Sequence, residues 1–403
     1  MTSFLFKIKE GEDRMPELAE KISLFTDSII RRMTRISEEY HAVNLSQGFP
    51  DFSPPQEILD RLSEVAQKGP HQYGLTWGAE NFRKALSEYH YCFTKQRIDP
   101  EKEIVVTCGS TEAMMDAVMT VTNPGDKVIV FSPFYENYGA DTILSGADPI
   151  YVPLYPPLFD FNYEELEKAF KKRPKALILC NPSNPCGKVF TKEELEYIAF
   201  LAKKYDTFVI TDEVYEHIVY KPYVHTYFST LPGMYERTLT CGSLSKTYSI
   251  TGWRLGYIIA PPAIINGAKQ IHDFLTVAAP SPLQEAAIVG LKFGKSYYDD
   301  LLSMYTHKRT IMMDGLDTLG ISHTNPQGAY YILLDISEYG FDNDLEFCEL
   351  LARDIGVGAV PGSSFFKEPV YNLIRLHFAK NDETLYEALN RLEKMKKIIK
   401  KRK

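Results

Sequence analysis

The chain has 403 residues, 44% of them hydrophobic and 24% charged, and carries a formal net charge of −8. That length exceeds what one hydrophobic core organises, so two domains are expected, and the acidic balance argues against a nucleic-acid surface. No apolar run approaches a membrane span and the opening MTSFLFKIKEGEDRMPE lacks a signal-peptide pattern, so no membrane association or secretion is expected.

In chain order, residues 16–40 predict an amphipathic helix carrying Ile22, Leu24, Ile29, Ile30, Met33 and Ile36. VNLSQGFPDFSPP at 43–55 then breaks regular structure with Gly48, Pro50, Pro54 and Pro55. A helix over 56–68 leads to HQYGLTWG at 71–78, which has loop composition. From residue 100 the pattern alternates. Strands are predicted at 104–107, 127–132, 150–153, 175–180 and 207–211, with EAMMDAVMTV a helix after the first. Asn162 and Thr191 are placed to cap helices, each with a glutamate three residues on, Glu165 and Glu194. Two further strands, 238–242 and 253–260, flank a connection too short for a helical crossover, so the second should run backwards.

This alternation predicts an α/β fold: a mostly parallel sheet of about seven strands, one antiparallel, with helices on both faces. After residue 280 the texture changes. A mostly helical stretch at 283–319 precedes short units at 328–337, 344–354, 356–366 and 372–379 and a terminal helix to 403, the pattern of a smaller α+β domain. The expected division is a large domain at 56–290, with 1–55 and 291–403 forming the small one. The basic end KMKKIIKKRK fits a solvated helix terminus.

The six cysteines (92, 108, 180, 186, 241 and 348) form no CxxC pair and read as small buried hydrophobes in a reducing, cytoplasmic setting. The nine histidines show no HxxxH or HExxH spacing, so no metal site is expected.

Chemistry concentrates where strands end, because ligands of open α/β sheets sit beyond the carboxyl ends. SLSKTYSITGWRLGY at 243–257 sets Lys246 among serines, with Arg254 downstream, on a loop between two core strands. A lysine held there can form a Schiff base with a carbonyl, and hydroxyls with an arginine can hold a phosphate; a solvated loop lysine is the plainer alternative. Gly109, Ser110 and Thr111 stand between strand and helix, where backbone N–H groups make an anion site or simply a cap. In NPSNPCG (181–187) the prolines and glycine can aim Asn184 at a ligand. Asp212 ends the strand TFVIT, where a carboxylate can keep a ring nitrogen protonated or cap the backbone, and Tyr215 three residues on can reach the same ring. Tyr135 can stack on a flat ring or pack in the core.

TCGSTEA, NPSNPCG, ITDEVY and SLSKTYSITGWRLG together resemble the signature segments of fold type I, class I aminotransferases, which depend on pyridoxal 5'-phosphate. The resemblance covers about 43–385, and LSQGFPDFSPP with HQY resembles the kynurenine, glutamine and methionine aminotransferase branch. It implies that Lys246 carries the cofactor as a Schiff base and then acts as general base. Asp212 would pair with the pyridine nitrogen, Tyr215 and Asn184 with the phenolic oxygen, and Tyr135 would stack on the ring. Ser110, Thr111, Ser243 and Arg254 would hold the phosphate, with Tyr73 supplied by the other subunit of a homodimer. Arg375 would clamp the substrate α-carboxylate beside the Gly48 backbone.

The implied reaction moves an amino group from an L-amino acid to a 2-oxo acid. HDFLTVAAPSPLQEA at 272–286 has no arginine where dicarboxylate-specific relatives carry a second one, so a neutral donor (aromatic, sulfur-containing or glutamine-like) is expected. A carbon–sulfur β-lyase acting on cystathionine or cysteine conjugates would use the same cofactor and lysine, and the sequence separates the two poorly. A transcription regulator built on the same domain would need a DNA-binding unit. The roughly 40 residues ahead of VNLSQG are too few and not basic for one.

Overall fold

The computed structural model describes residues 17–25 and 28–395. Residues 16, 26 and 27 of the helix predicted at 16–40, and the basic end from 396 on, lie outside them. The predicted helix is shorter than its apolar pattern. A 3-10 turn at Glu20–Leu24 precedes α1 (Ile29–Glu39), which starts where the Ser28 side chain accepts the Arg31 N–H. A two-residue strand β1 (Val43–Asn44) follows, then α2 (Gln56–Lys68) and α3 (Glu80–Thr94). The helix α3 was not expected.

The alternating region builds β2 (Ile104–Thr107), α4 (Ser110–Val121), β3 (Lys127–Ser132), α5 (Asn137–Leu144), β4 (Asp148–Tyr155), β5 (Asp160–Phe161) and α6 (Tyr163–Phe170). It continues through β6 (Ala176–Cys180), α7 (Lys192–Tyr205), β7 (Phe208–Asp212), β8 (Thr238–Ser243) and β9 (Gly256–Ile259). Both predicted caps are present. Asn162 accepts the Glu164 and Glu165 N–H groups, and Thr191 with Glu194 closes a capping box on α7.

These strands form one sheet of eight, in the order β2-β9-β8-β7-β6-β3-β4-β5. The strand β9 runs antiparallel to both neighbours, as the short connection required. The eighth strand, β5, turns back on β4 as an antiparallel edge and was not foreseen, since two residues give no periodicity to detect. Alternation along the strands explains the layers. Val128, Val130, Ala176 and Ile178 pack with Ala113, Ala117, Ile265 and Ala268 on one face. Ile129, Phe131, Leu177 and Leu179 pack with Leu195, Ile198 and Leu201 on the other.

The later chain supplies α8 (Pro262–Thr276), α9 (Ser281–Leu291) and α10 (Lys295–Leu319), the last two separated at Gly294 where one long helical stretch was expected. Then come β10 (Tyr331–Asp335), α11 (Asp344–Leu350), β11 (Val357–Gly358), β12 (Val360–Pro361), β13 (Leu373–His377) and α12 (Asp382–Leu392). The strands β10, β13 and β12 make a three-stranded antiparallel sheet, and β11 pairs with β1. Met33 and Leu45 from the N-terminal segment share a core with Tyr331, Ile374, Leu376 and Leu385. The N-terminal segment is thereby tied to the C-terminal third. No helix among the described residues is long and apolar enough to cross a membrane.

Candidate active site

The carboxyl ends of β2, β6, β7 and β8 open onto a cavity of about 470 Å³, whose wall includes Ser110, Thr111, Asn184, Asp212, Lys246 and Arg254. Across from them stand Gly48, Phe49 and Arg375, with Tyr135, Tyr215 and Tyr331 between.

One end is built for an anion. Gly109 takes φ +87° and leads into Ser110 and Thr111, the first turn of α4, where no side chain caps the free N–H groups. A Cβ on Gly109 would strike the Arg254 guanidinium, and one on Gly256 would overlap the backbone at Gly109 and Ser110. Two glycines therefore let the turn and the arginine close on one spot. Arg254 Nη2 reaches Thr111 Oγ1 at 3.4 Å, and Nη1 donates to the Thr251 carbonyl at 3.1 Å.

In the middle, Asp212 is buried at the end of β7. Its carboxylate accepts the Tyr138 hydroxyl at 2.7 Å and the Val214 N–H at 3.3 Å. Burial nevertheless pushes its pKa above the usual carboxylate value, against those two hydrogen bonds and the Lys246 charge. A cationic donor placed against it would favour its charged form. Lys246 Nζ donates to the Gly48 carbonyl at 3.2 Å, and the Tyr330 hydroxyl donates to the same oxygen at 2.9 Å. Burial, then Arg254 and Arg375, bring the Lys246 pKa down to about 8, with Asp212 opposing. The Tyr215 hydroxyl lies 2.9 Å from that of Tyr331.

At the far end Arg375 is fully buried between the Tyr331 and Phe365 rings, 4.4 and 4.5 Å from their centroids. Nη1 donates to Asn184 Oδ1 and Nη2 to the Ser46 carbonyl, both at 2.8 Å, while Nε has no partner. A buried guanidinium without a carboxylate is costly, and burial lowers its pKa accordingly. A bound carboxylate would complement it.

Two of the predicted residues are placed elsewhere. Ser243 is not on the cavity wall: its Oγ accepts the Ser245 N–H at 3.0 Å and lies 3.0 Å from the Leu255 carbonyl, and Ser245 is the serine that faces the cavity. Tyr73 is 88% exposed and sits beside Gly74, the 278–280 connection and the start of α9, outside the cavity. Tyr138, Tyr330 and Tyr331 enter the site without having been singled out. Tyr138 had one signal, its place three residues after Tyr135.

The fold and this wall, with an anion cradle, a buried carboxylate and a buried lysine, are those of a fold type I pyridoxal-phosphate enzyme. The family model for aminotransferase class I and II matches residues 40–392. A kynurenine–oxoglutarate transaminase of Dictyostelium discoideum is 34% identical, with 94% of this chain and 96% of that protein covered. A methionine aminotransferase of Escherichia coli is 33% identical, covering 93% and 97%. The solved N-succinyldiaminopimelate aminotransferase of Mycobacterium tuberculosis superposes with a TM-score of 0.91 at 32% identity, covering 94% and 100%. The chain belongs to the class I and II aminotransferases, whose cofactor is pyridoxal phosphate and whose substrates are amino acids and 2-oxo acids.

Proposed function

We propose that this aminotransferase prefers neutral amino donors with aromatic or sulfur-containing side chains. The observation that carries this reading is the wall around Arg375, where Phe49, Tyr135 and Tyr331 offer rings and the buried guanidinium is committed to the α-carboxylate. Two of the relatives are named for kynurenine and methionine.

Pyridoxal phosphate, when bound, supplies the carbonyl that captures the amino group and the ring that takes up the electron pair from the substrate Cα. The chain's residues do the rest. Arg375 and the Gly48 backbone fix the substrate carboxylate, which sets the Cα proton toward Lys246. Lys246 Nζ, its proton affinity lowered by burial and two guanidinium groups, takes that proton. Asp212, oriented by Tyr138, would keep the pyridine nitrogen protonated. Tyr215 and Asn184 would donate to the phenolic oxygen, and Tyr135 would cover the ring. Ser110, Thr111 and Arg254 would hold the phosphate, with Ser243 acting behind them by fixing Ser245. Tyr73, exposed in the single chain, reaches the phosphate of a second copy in a homodimer. The large domain at 56–290, the small one formed by 1–55 with 291–403, and a cytoplasmic location complete the reading.

Mixing the holoenzyme with single amino acids and following the cofactor's conversion to its amine form tests it. Methionine, kynurenine or phenylalanine should convert it faster than aspartate. A clear preference for aspartate would sink the donor assignment. Pyruvate and ammonia released from cystathionine without any oxo acid would point to elimination instead. The Lys246→Ala chain should fold, bind cofactor without retaining it covalently after borohydride, and lose transamination. Normal turnover by that variant would overturn the role of Lys246.

A further inference from the structure

One turn behind the anion cradle, α4 packs on α8, and three side chains of metal-ligating type meet in the seam. Glu112 and Asp116 lie four residues apart and so share one face of α4. His272 comes from α8, with Nδ1 3.1 Å from Glu112 Oε1 and 3.7 Å from Asp116 Oδ2. One ligand atom from each of the three lies within 4.8 Å of the others.

Asp116 and His272 are fully buried, and neither carboxylate oxygen of Asp116 has a hydrogen-bond partner. A carboxylate buried in this way needs a proton or a cation. Zinc bonds of about 2.0–2.2 Å in a tetrahedral shell set neighbouring ligand atoms about 3.3–3.6 Å apart, between the two separations from His272 Nδ1. The surroundings are already organised. The other oxygen of Glu112 accepts the Cys108 N–H, and the Thr276 hydroxyl donates to Oε1 at 2.5 Å. A cavity of about 380 Å³ lined by Cys108, Thr111, Glu112, Asp141, Arg254 and Thr276 gives solvent a route to Glu112.

We propose that Glu112, Asp116 and His272 bind one divalent transition-metal ion, Zn²⁺ or Mn²⁺, which ties α4 to α8 directly behind the phosphate-binding turn. Two carboxylates and an imidazole suit either ion, and the coordination positions left over would be filled by water. The site takes no part in the transamination chemistry. Its ligands come from positions 160 residues apart, which is why histidine spacing in the sequence did not reveal it.

The test uses the holoenzyme, stripped with a chelator, dialysed against micromolar Zn²⁺ or Mn²⁺ and analysed for bound metal. We expect about one ion per chain, and at least ~10-fold weaker binding in both Asp116→Asn and His272→Gln. Asp141→Asn, a buried carboxylate outside the three, should bind metal as the native chain does. A native chain that takes up no metal, or Asp116→Asn and His272→Gln chains that load as well as it does, would overturn the site. Anomalous scattering from zinc-loaded crystals keeps the test open if a variant fails to fold. A peak between α4 and α8 supports the proposal, and a peak confined to other residues removes it.

Discussion

At Lys246 the decisive quantity is a proton. Its pKa of about 8 lies below that of a free lysine, so the folded chain disfavours the ammonium form while the unfolded chain keeps it up to its ordinary pKa. Between those values the unfolded state binds more protons, so stability of the cofactor-free protein should rise with pH there, by at most about 1.4 kcal/mol per unit. Denaturant midpoints of the apoprotein and its Lys246→Met variant, compared from pH 7 to 9.5, check this: the variant should lack the rise. The same proton governs reloading, since only the neutral amine attacks a carbonyl. Cofactor uptake should therefore speed up with pH and level off above about 8. At Asp212 the controlling neighbour is Tyr138, whose hydroxyl it accepts. A hydrogen bond to a charged group is worth about 1.5–3 kcal/mol, so Tyr138→Phe should lower kcat/KM by roughly 10- to 100-fold with the fold retained. Unchanged kinetics would mean that Tyr138 does not support Asp212 in the reaction. Lys246, Asp212, Asn184 and Arg254 were legible because each ends a strand or follows one in a distinctive segment. Tyr138, Tyr330 and Tyr331 were not, because with 26 tyrosines in the chain a tyrosine that will face a cavity looks like one that will fill a core.

Among the elements, those with long periodic or capped signals were read well. The helix α2, the cap of α6 and the capping box of α7 follow from side-chain chemistry confined to a few residues. Thr191→Ala should cost about 1 kcal/mol, read as a shift in the denaturation midpoint, because the Glu194 N–H loses its acceptor. Elements set by tertiary packing were harder. The predicted helix at 16–40 contracts to α1 because Leu18, Ile22 and Leu24 find no core and remain exposed. Whether Ser243 or Ser245 faces the cavity depends on how the turn after β8 folds back onto Leu255, a detail that residue spacing does not carry. At the anion cradle the requirement is steric. Gly109→Ala would combine an unfavourable φ of +87° with a clash against Arg254, so cofactor affinity should fall while the sheet persists. Equilibrium dialysis against pyridoxal phosphate measures it, and native affinity would contradict the geometry.

On the scale of the whole molecule, the proposed homodimer makes a prediction that a monomer cannot meet. If Tyr73 serves the neighbouring site, mixing inactive Lys246→Ala with impaired Tyr73→Ala chains under subunit exchange should restore activity, since each mixed dimer holds one site with both residues intact. No recovery in dimers shown to be mixed would mean that Tyr73 does not serve the neighbouring site. The two ends of the cavity also belong to different cores. The turn that forms the anion cradle is backed by Ala113 and Met114, packed with Val105 and Ile258 of the large sheet. Tyr331, and Ile374 and Leu376 on either side of Arg375, are packed with Met33 and Leu45. Substitutions in the second core can reshape what the enzyme accepts without loosening what it must never release. A lineage changing its diet of amino acids, or a designer doing the same deliberately, can therefore vary the side chains packed behind Arg375, such as Met33, Ile374 and Leu376, while keeping Gly48, Tyr330 and Tyr331, which touch Lys246 and Tyr215.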